Sequence, residues 1–280
     1  MTDAGWISLT FDDALEQHLD VAIPLLDAHA LPGTFYVHLG ATSLTRRMSD
    51  WTASARRGHE LGNHTIFHPA TETKSWVSPG NAIELYTLDR MRMELEVANQ
   101  WLSAIDGETA RSFAYPNSNP TVGRWGCVTR GLFAVGLRNT RWPGVVERSG
   151  LDFGNTRSSY RTLLPEQFIA ARGGGLNLED RPPPLDQVDR YALPSAAVDG
   201  HDLAAMRAFV ERAVEGGTWA ILQFHGVNGG HRMNCGGDAF RDLVHWLADA
   251  HAPRVTTIRE GAARCWHAHA EPVRGGFDAD

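Results

Sequence analysis

Short apolar runs alternate with amphipathic segments along most of the chain, which predicts β-strands that are each followed by a helix. The predicted strands are 6–11, 33–39, 59–64, 111–116, 132–138, 151–155, 218–224 and 254–258. The predicted helices begin near Asp20, Ser49 and Thr87 and cover 203–215 and 238–250. The segment 69–86 has the composition of a loop, and 173–200, with its glycine and proline clusters, that of a long excursion.

The helix from Thr87 to Ile105 is the most regular of these predictions. Thr87 is a good N-cap residue. Behind it, apolar residues recur at intervals of three and four, which places them on one helix face; they are Leu88, Met91, Leu95, Ala98, Leu102 and Ile105. We expect this face to pack against the sheet.

Seven or eight strands that alternate with helices predict an α/β fold, either a (β/α) barrel or a doubly wound sheet. No internal repeat or break in composition divides the chain, so we expect a single domain. In both folds the functional residues gather at the carboxyl ends of the strands. These strand ends are therefore where candidate chemistry should be sought.

Composition and charge narrow the class of protein. Hydrophobic residues make up 42% of the chain, charged residues 21%, and the formal net charge is −7. The lack of a basic run argues against nucleic acid or an anionic membrane as partner. The three cysteines, Cys127, Cys235 and Cys265, follow no metal-ligand spacing. We see no leader pattern and no apolar run of ~18 residues, so we expect a cytoplasmic protein.

Charged and imidazole side chains stand at three predicted strand ends. Strand 6–11 runs into Asp12 and Asp13, strand 59–64 ends at His64 with His68 four residues on, and strand 218–224 runs into His225. Two adjacent carboxylates repel each other unless a cation lies between them. One carboxylate and two imidazoles would suit such a cation. Taken singly, these features are more often a polar turn, a coincidental pair of histidines or a hydrogen-bonded structural histidine than parts of a functional site.

Three motifs carry a resemblance to a known family. The strings LTFDDA, GHELGNHTIFHP and ILQFHGV, in this order, resemble motifs of the polysaccharide deacetylases, the NodB-homology enzymes of carbohydrate esterase family 4. The resemblance spans residues 6 to about 260. It implies a distorted (β/α)7 barrel, which we expect over residues 1–270, with 271–280 as a loose tail.

The resemblance also implies a reaction. It assigns Asp13, His64 and His68 to one divalent metal ion, most often Zn, with Co, Ni or Mn as alternatives. It makes Asp12 the general base and His225 the general acid. The implied activity is the metal-dependent removal of N-acetyl groups from an amino sugar, in which Asp12 deprotonates an activated water and His225 protonates the leaving amine.

The third motif departs from the usual Arg-x-Pro-Tyr. This chain reads FAYPNS, so that Ala114 stands at the arginine position and Asn117 at the tyrosine position. The backbone N–H of Asn117 remains a candidate oxyanion donor, and the neighbouring Tyr115 a candidate substrate contact. We hypothesise that Arg138 replaces the missing arginine and reaches Asp12, and that Trp142 forms one wall of a sugar site.

The fourth motif, whose aspartate adjusts the acid histidine, has no clear match. Asp152, Asp189 and Asp199 are the candidates. Two other activities fit the same residues, namely hydrolysis of an acetyl ester and hydrolysis of a small cyclic amide or ureide. A barrel that binds sugar without catalysis is the alternative from another class. For each hypothesis in which the protein acts on or binds a sugar, the expected partner is a carbohydrate. The sequence predicts no oligomeric state.

Overall fold

A parallel sheet of seven strands organises the computed structural model, which describes residues 5–266. The strands are β1 Trp6–Asp12, β2 Thr34–Val37, β3 Glu60–Asn63, β4 Ser112–Ala114, β5 Thr121–Val122, β6 Ser158–Ser159, β7 Ala170–Arg172, β8 Ala196–Ala197, β9 Trp219–Phe224, β10 Gly226–Val227 and β11 Asn234–Cys235. The order across the main sheet is β7-β4-β3-β2-β1-β9-β8, and all neighbours are parallel. Strands β5 and β6 form an antiparallel pair, and β10 and β11 a parallel one. The predicted tail 271–280 lies outside the described residues.

Helices follow most strands of the main sheet. They are α1 Ile23–Ala28, α2 Thr42–Arg46, α3 Met48–Arg56, α4 Leu88–Asp106, α5 Cys127–Ala134, α6 Trp142–Ser149, α7 Leu203–Glu215, α8 Gly237–His251 and α9 Ile258–Trp266, with a π-helical turn at His18–Ala22 before α1. Helix α4 begins as predicted, because the Thr87 hydroxyl accepts a hydrogen bond from the backbone N–H of Arg90 at 3.2 Å. None of the described helices is both long and apolar enough to cross a membrane.

The sheet curls until its two edges approach each other. The chain around Leu193, just before β8, runs along β7: the N–H of Leu193 donates to Ala171 at 2.7 Å, and that of Gly173 donates to Leu193 at 2.8 Å. Farther along, the N–H of Leu176 donates to Ser195 at 3.1 Å. These bonds bridge β7 and β8. The distorted (β/α) barrel is therefore confirmed, and the doubly wound alternative is wrong.

Side chains alternate across the curled sheet, as the two-residue period of a strand requires. Ile7, Leu9 and Phe11 of β1 face outward into the apolar core under the helices. There the Phe11 ring stacks on Phe35 of β2 at 4.6 Å and on Phe224 of β9 at 5.0 Å. The alternate residues of these strands face the interior, which is partly polar near the carboxyl ends. The barrel interior therefore leads directly to the functional rim.

Three predicted strands are absent from the described residues. The segment 132–138 is the end of α5 and a turn, and 151–155 is a turn as well. The carboxylate of Asp152 in that turn accepts the N–H groups of Gly126 and Thr129, both at 2.9 Å, and thereby caps α5. The segment 254–258 makes only one bridge, between Val255 and Ile7, before α9 begins. Conversely, the sequence pattern predicts no strand at the positions of β7 and β8.

Gly62 of β3 lies where the barrel interior is tightly packed. A Cβ atom at this position would lie 2.4 Å from the buried ring of Tyr36, whose hydroxyl accepts a hydrogen bond from Ser112 at 3.1 Å. We expect Gly62→Ala to lower the free energy of unfolding by about 1–3 kcal/mol in urea denaturation, because the ring has to move. Gly80→Ala is the control, since a Cβ there meets no atom within 4 Å. Equal stability of both variants would contradict this account.

Candidate active site

The carboxyl ends of β1, β3 and β9 meet at one rim of the barrel. They bring Asp12, Asp13, His64, His68 and His225 into one cavity of about 1930 Å³. The candidate residues from three distant parts of the sequence are thus neighbours. This arrangement follows from parallel strands, whose carboxyl ends share one side of the sheet.

Asp13, His64 and His68 form a compact group of metal-ligand type. One ligand atom from each residue lies within 4.8 Å of the other two. Asp13 Oδ1 is 3.4 Å from His68 Nε2 and 3.7 Å from His64 Nε2. His64 Nδ1 lies 2.8 Å from the carbonyl oxygen of Ala114, to which it donates, so the lone pair of Nε2 faces Asp13.

The protonation states of this group also suit a cation. Burial lowers the pKa of His64 to about 3, so its imidazole is neutral. Burial raises the pKa of Asp13, but the imidazoles of His68 and His64 outweigh this effect and hold it at about 2. A carboxylate with two imidazoles is a donor set typical of zinc sites with open positions. These residues therefore fit a divalent metal ion.

The loop that carries both histidines is fixed by buried hydrogen bonds. Glu94 of α4 accepts the backbone N–H groups of Ile66 and Phe67 at 3.3 and 3.4 Å, and the hydroxyl of Tyr86 at 2.5 Å. The N–H of His68 donates to the Thr65 hydroxyl at 3.0 Å. A single buried carboxylate thus orders the turn between the two imidazoles.

Asp12 is paired with Arg172, which ends β7 on the seam of the barrel. Arg172 Nη2 lies 2.5 and 2.6 Å from the two carboxylate oxygens, and Gln223 Nε2 donates at 3.0 Å. Burial raises the pKa of Asp12, but Arg172 and the neighbouring imidazoles outweigh it, so the pKa is lowered. The hypothesis that Arg138 reaches Asp12 is wrong, because the arginine that contacts this carboxylate is Arg172. The guanidinium of Arg138 lies 5.1 Å from the centre of the Phe133 ring.

His225 lies on the other side of Asp12. Its Nε2 atom is 3.8 Å from Asp12 Oδ2, and its Nδ1 atom is 3.1 Å from Asp199 Oδ2. Burial lowers the pKa of His225, but the hydrogen bond to Asp199 and the nearby carboxylates outweigh this, and the pKa is raised. Of the three candidate acids, Asp199 is the one that contacts the imidazole. Asp152 caps α5 instead, and Asp189 pairs with Arg161.

His18 contacts the backbone of His225. It is fully buried, its Nδ1 atom accepts the N–H of Leu15 at 3.2 Å, and its Nε2 atom donates to the carbonyl oxygen of His225 at 2.7 Å. Burial lowers the pKa of His18 to about 4, so this imidazole is neutral. No local pattern predicts this contact, because the two residues are far apart in the chain.

The remaining candidates separate into residues at the cavity and residues away from it. Asn117 is exposed and lines the cavity. Tyr115 also lines it, but its hydroxyl donates to the carbonyl oxygen of Tyr191 at 2.8 Å. Trp142 is not among the described residues that line the cavity; the tryptophans there are Trp76 and Trp125. Trp142 therefore does not form the predicted wall of a sugar site in this cavity.

Arg172 is the main residue that sequence reasoning missed. It stands in the string FIAARGGG, where a short apolar run ends in a charged residue before a glycine cluster. Asp12 and His225 follow apolar runs in the same way. The run before Arg172 is short and adjoins the long excursion predicted for 173–200, so its pattern alone does not predict a strand end.

The curled parallel barrel and its rim of two aspartates and three histidines define an α/β protein with a metal-type site at its strand ends. Residues 1–124 match the family model described as polysaccharide deacetylase. The resemblance to that family is thus confirmed, and the matched part contains Asp12, Asp13, His64 and His68.

Two curated proteins are similar to part of the chain. A gellan lyase from a Bacillus species is 32% identical over 114 residues, which is 40% of this chain and 4% of that protein. The peptidoglycan-N-acetylmuramic acid deacetylase PdaA of Bacillus subtilis is 30% identical over 115 residues, 39% of this chain and 37% of that protein. The aligned part of the chain therefore spans well under half of either relative.

Solved structures extend the similarity of the fold to nearly the whole chain. A provisionally named polysaccharide deacetylase from Mycobacterium smegmatis has a TM-score of 0.56 at 16% identity and covers 97% of this chain and 94% of its own. The peptidoglycan deacetylase PdaC of Bacillus subtilis has a TM-score of 0.50 at 14% identity, with 96% of each chain covered. At these identities the comparison establishes the fold.

Replacement of Asp199 tests the electrostatic arrangement at His225. We expect Asp199→Asn to lower the pKa of His225, because the imidazolium loses its charged hydrogen-bond acceptor. NMR titration of the His225 ring protons measures this shift directly. Asp189→Asn, at an exposed ion pair with Arg161, is the control and should leave the His225 pKa in place. An unchanged pKa in the Asp199 variant would refute the assignment.

Proposed function

We propose that this chain is a metal-dependent hydrolase that removes N-acetyl groups from an amino sugar within an oligosaccharide or polysaccharide. One observation carries the proposal: Asp12 and His225, 3.8 Å apart, stand beside the ligand group of Asp13, His64 and His68 in a single large cavity. A base, an acid and a metal-type site in one place are what amide hydrolysis needs. We further propose that the barrel domain extends over residues 1–270.

The two aspartates at the end of β1 have different roles in this proposal. Asp13 belongs to the ligand group, with the neutral His64 and with His68 as its partners. A divalent metal bound there would supply a water of lowered pKa and polarise the acetyl carbonyl. Asp12, ionised beside Arg172, accepts the proton of the attacking water. The guanidinium holds this carboxylate in place for that transfer.

His225 is suited to the opposite proton transfer. With its raised pKa it holds a proton that Nε2 can donate to the leaving amine, while Asp199 fixes Nδ1. The backbone N–H of Asn117, at the exposed turn after β4, is the proposed donor to the oxyanion. The partner proposed for this protein is a carbohydrate chain, as the family match suggests, and the cavity is its proposed entry.

Two alternatives remain distinct from this proposal. An acetyl ester or a small cyclic amide would use the same base and metal-type group, but an ester leaving group needs less help from an acid. A sugar-binding barrel without catalysis would have no use for Asp12 and His225 on adjoining positions. The buried pair of Asp12 and Arg172 disfavours the sugar-binding barrel, because well-packed apolar residues could replace a buried ion pair at little or no cost in stability if the carboxylate had no chemical role.

Acetate release is the direct test. We expect the purified protein to release acetate from N-acetylated oligosaccharides, to lose this activity on chelation, and to regain it with zinc or cobalt. His225→Ala should lower amide hydrolysis by about 10²–10⁴-fold, the usual contribution of a general acid, and lower ester hydrolysis far less. Equal losses on both substrates would argue against His225 as the acid. Metal-independent release would overturn the proposed mechanism.

A second prediction concerns Arg172. Asp12 acts as a base only when ionised, so activity falls as the pH drops through its pKa. Because Arg172 holds that pKa down, Arg172→Gln should move the acidic limb of the kcat/KM profile to higher pH. Arg172→Lys keeps the charge and should restore part of the shift; it also serves if the Gln variant fails to fold. An acidic limb that stays in place in both variants would remove Asp12 as the base.

A further inference from the structure

Four arginines line one wall of the cavity that contains the candidate active site. They are Arg124, Arg130, Arg138 and Arg157, here called the arginine wall. All four belong to the stretch that follows β4 and ends at β6. The lining continues along this stretch from the proposed oxyanion residue Asn117 through Thr121 to Arg124, so the wall and the candidate active site face the same cavity.

Aromatic rings hold two of these guanidinium groups in place. Arg157 lies 3.7 Å from the centre of the Trp125 ring, and Arg138 lies 5.1 Å from that of Phe133. Trp125 and Phe133 are themselves in edge contact at 5.7 Å. A guanidinium that stacks by its face keeps its N–H groups free at the edge, where they suit the oxygen pair of a carboxylate.

The wall is anchored to the rest of the barrel by backbone bonds. The N–H of Arg124 donates to the Thr156 hydroxyl at 3.1 Å, and the N–H of Thr156 donates to the Arg124 carbonyl at 3.0 Å. Strands β5 and β6 pair on either side of these contacts. Arg124 and Arg157 therefore adjoin an ordered ribbon, whereas Arg130 lies in α5 and Arg138 in the turn after it.

These positive charges are largely uncompensated. Within residues 5–266, Arg157 has a carboxylate partner, Glu147 at 3.6 Å, whereas Arg124, Arg130 and Arg138 have none within 4.0 Å. The acidic residues of the cavity lining, which are Asp12, Asp13, Glu16, Glu72, Glu84 and Asp199, belong to other segments of the chain. The arginine wall is thus a local cluster of positive charge in a chain whose net charge is −7. A cluster of unpaired cations on one side of a cleft attracts anions to it.

We infer that the arginine wall binds an anionic group of the substrate, and that the sugar chain deacetylated here carries carboxylates. This inference rests on the proposed function and narrows its substrate class from any acetylated glycan to an acidic one. The carboxylate lies on the wall while the N-acetyl group reaches the rim with Asp12 and His225. A sulfate on the sugar would offer the same charge without the flat fork geometry that guanidinium matches in a carboxylate.

The test compares kcat/KM for acetate release from three N-acetylated oligosaccharides of equal length, one neutral, one carboxylated and one sulfated. We expect the carboxylated chain to be preferred over the neutral one at least tenfold at low salt, with the preference reduced at high salt. Arg124→Gln combined with Arg130→Gln should reduce that preference about tenfold, ~1.4 kcal/mol, chiefly through KM. Arg92→Gln, on the exposed side of α4, is the matched control and should leave the preference unchanged.

The outcomes separate this inference from the proposed function. The proposed role of the arginine wall is overturned if acetate is released with no preference for the carboxylated chain, or if the double variant keeps that preference. Neither result contradicts the proposed hydrolase activity. A sulfated chain preferred as strongly as the carboxylated one supports the anion site and overturns its selectivity for carboxylate. If no chain releases acetate, calorimetry on the zinc-loaded protein decides: tighter binding of the carboxylated than of the neutral chain supports the wall, and equal binding overturns it.

Discussion

The ion pair between Asp12 and Arg172 connects the fold to the chemistry. Arg172 ends β7, at the seam where the two edges of the sheet meet, and Asp12 ends β1, an interior strand of the sheet. Because both side chains are buried, neither charge is tolerable without the other. The seam therefore has to close for the candidate base to be stabilised as an anion, and the base has to be present for the seam arginine to be buried. Closure of the barrel and assembly of the site are one event.

Around this pair, one neutral imidazole and two carboxylates hold the other groups in place. His18 holds the backbone of His225, Asp199 holds its ring, and Glu94 orders the turn between His64 and His68. Each contact joins residues that are distant in the chain. The consequence is a rim whose side chains are oriented by the barrel before any ligand arrives, which is what a preorganised site requires.

The sequence was sufficient for those parts of the structure that depend on local pattern. Strand β1, the capped helix α4 and the residues at strand ends follow from apolar spacing and from adjacent like charges, so Asp12, His64 and His225 could be found. The strand predicted for 132–138 is wrong, because the apolar residues of this segment fit either a strand or a helix. The helix is stabilised by a cap from Asp152, which the local pattern does not reveal. Arg172 and Asp199 are placed by the closure of the barrel, which no local pattern contains.

The backbone at the rim carries a further consequence. Asp13, Thr65, His68 and Asn117 all have positive φ, at 76°, 70°, 49° and 52°, a region that side chains other than glycine seldom adopt. Such conformations persist only where the surrounding structure enforces them. The chemistry here therefore belongs to the turns as much as to the side chains. A designer who grafted the same four residues onto ordinary extended strand ends would transfer their identities and lose their directions.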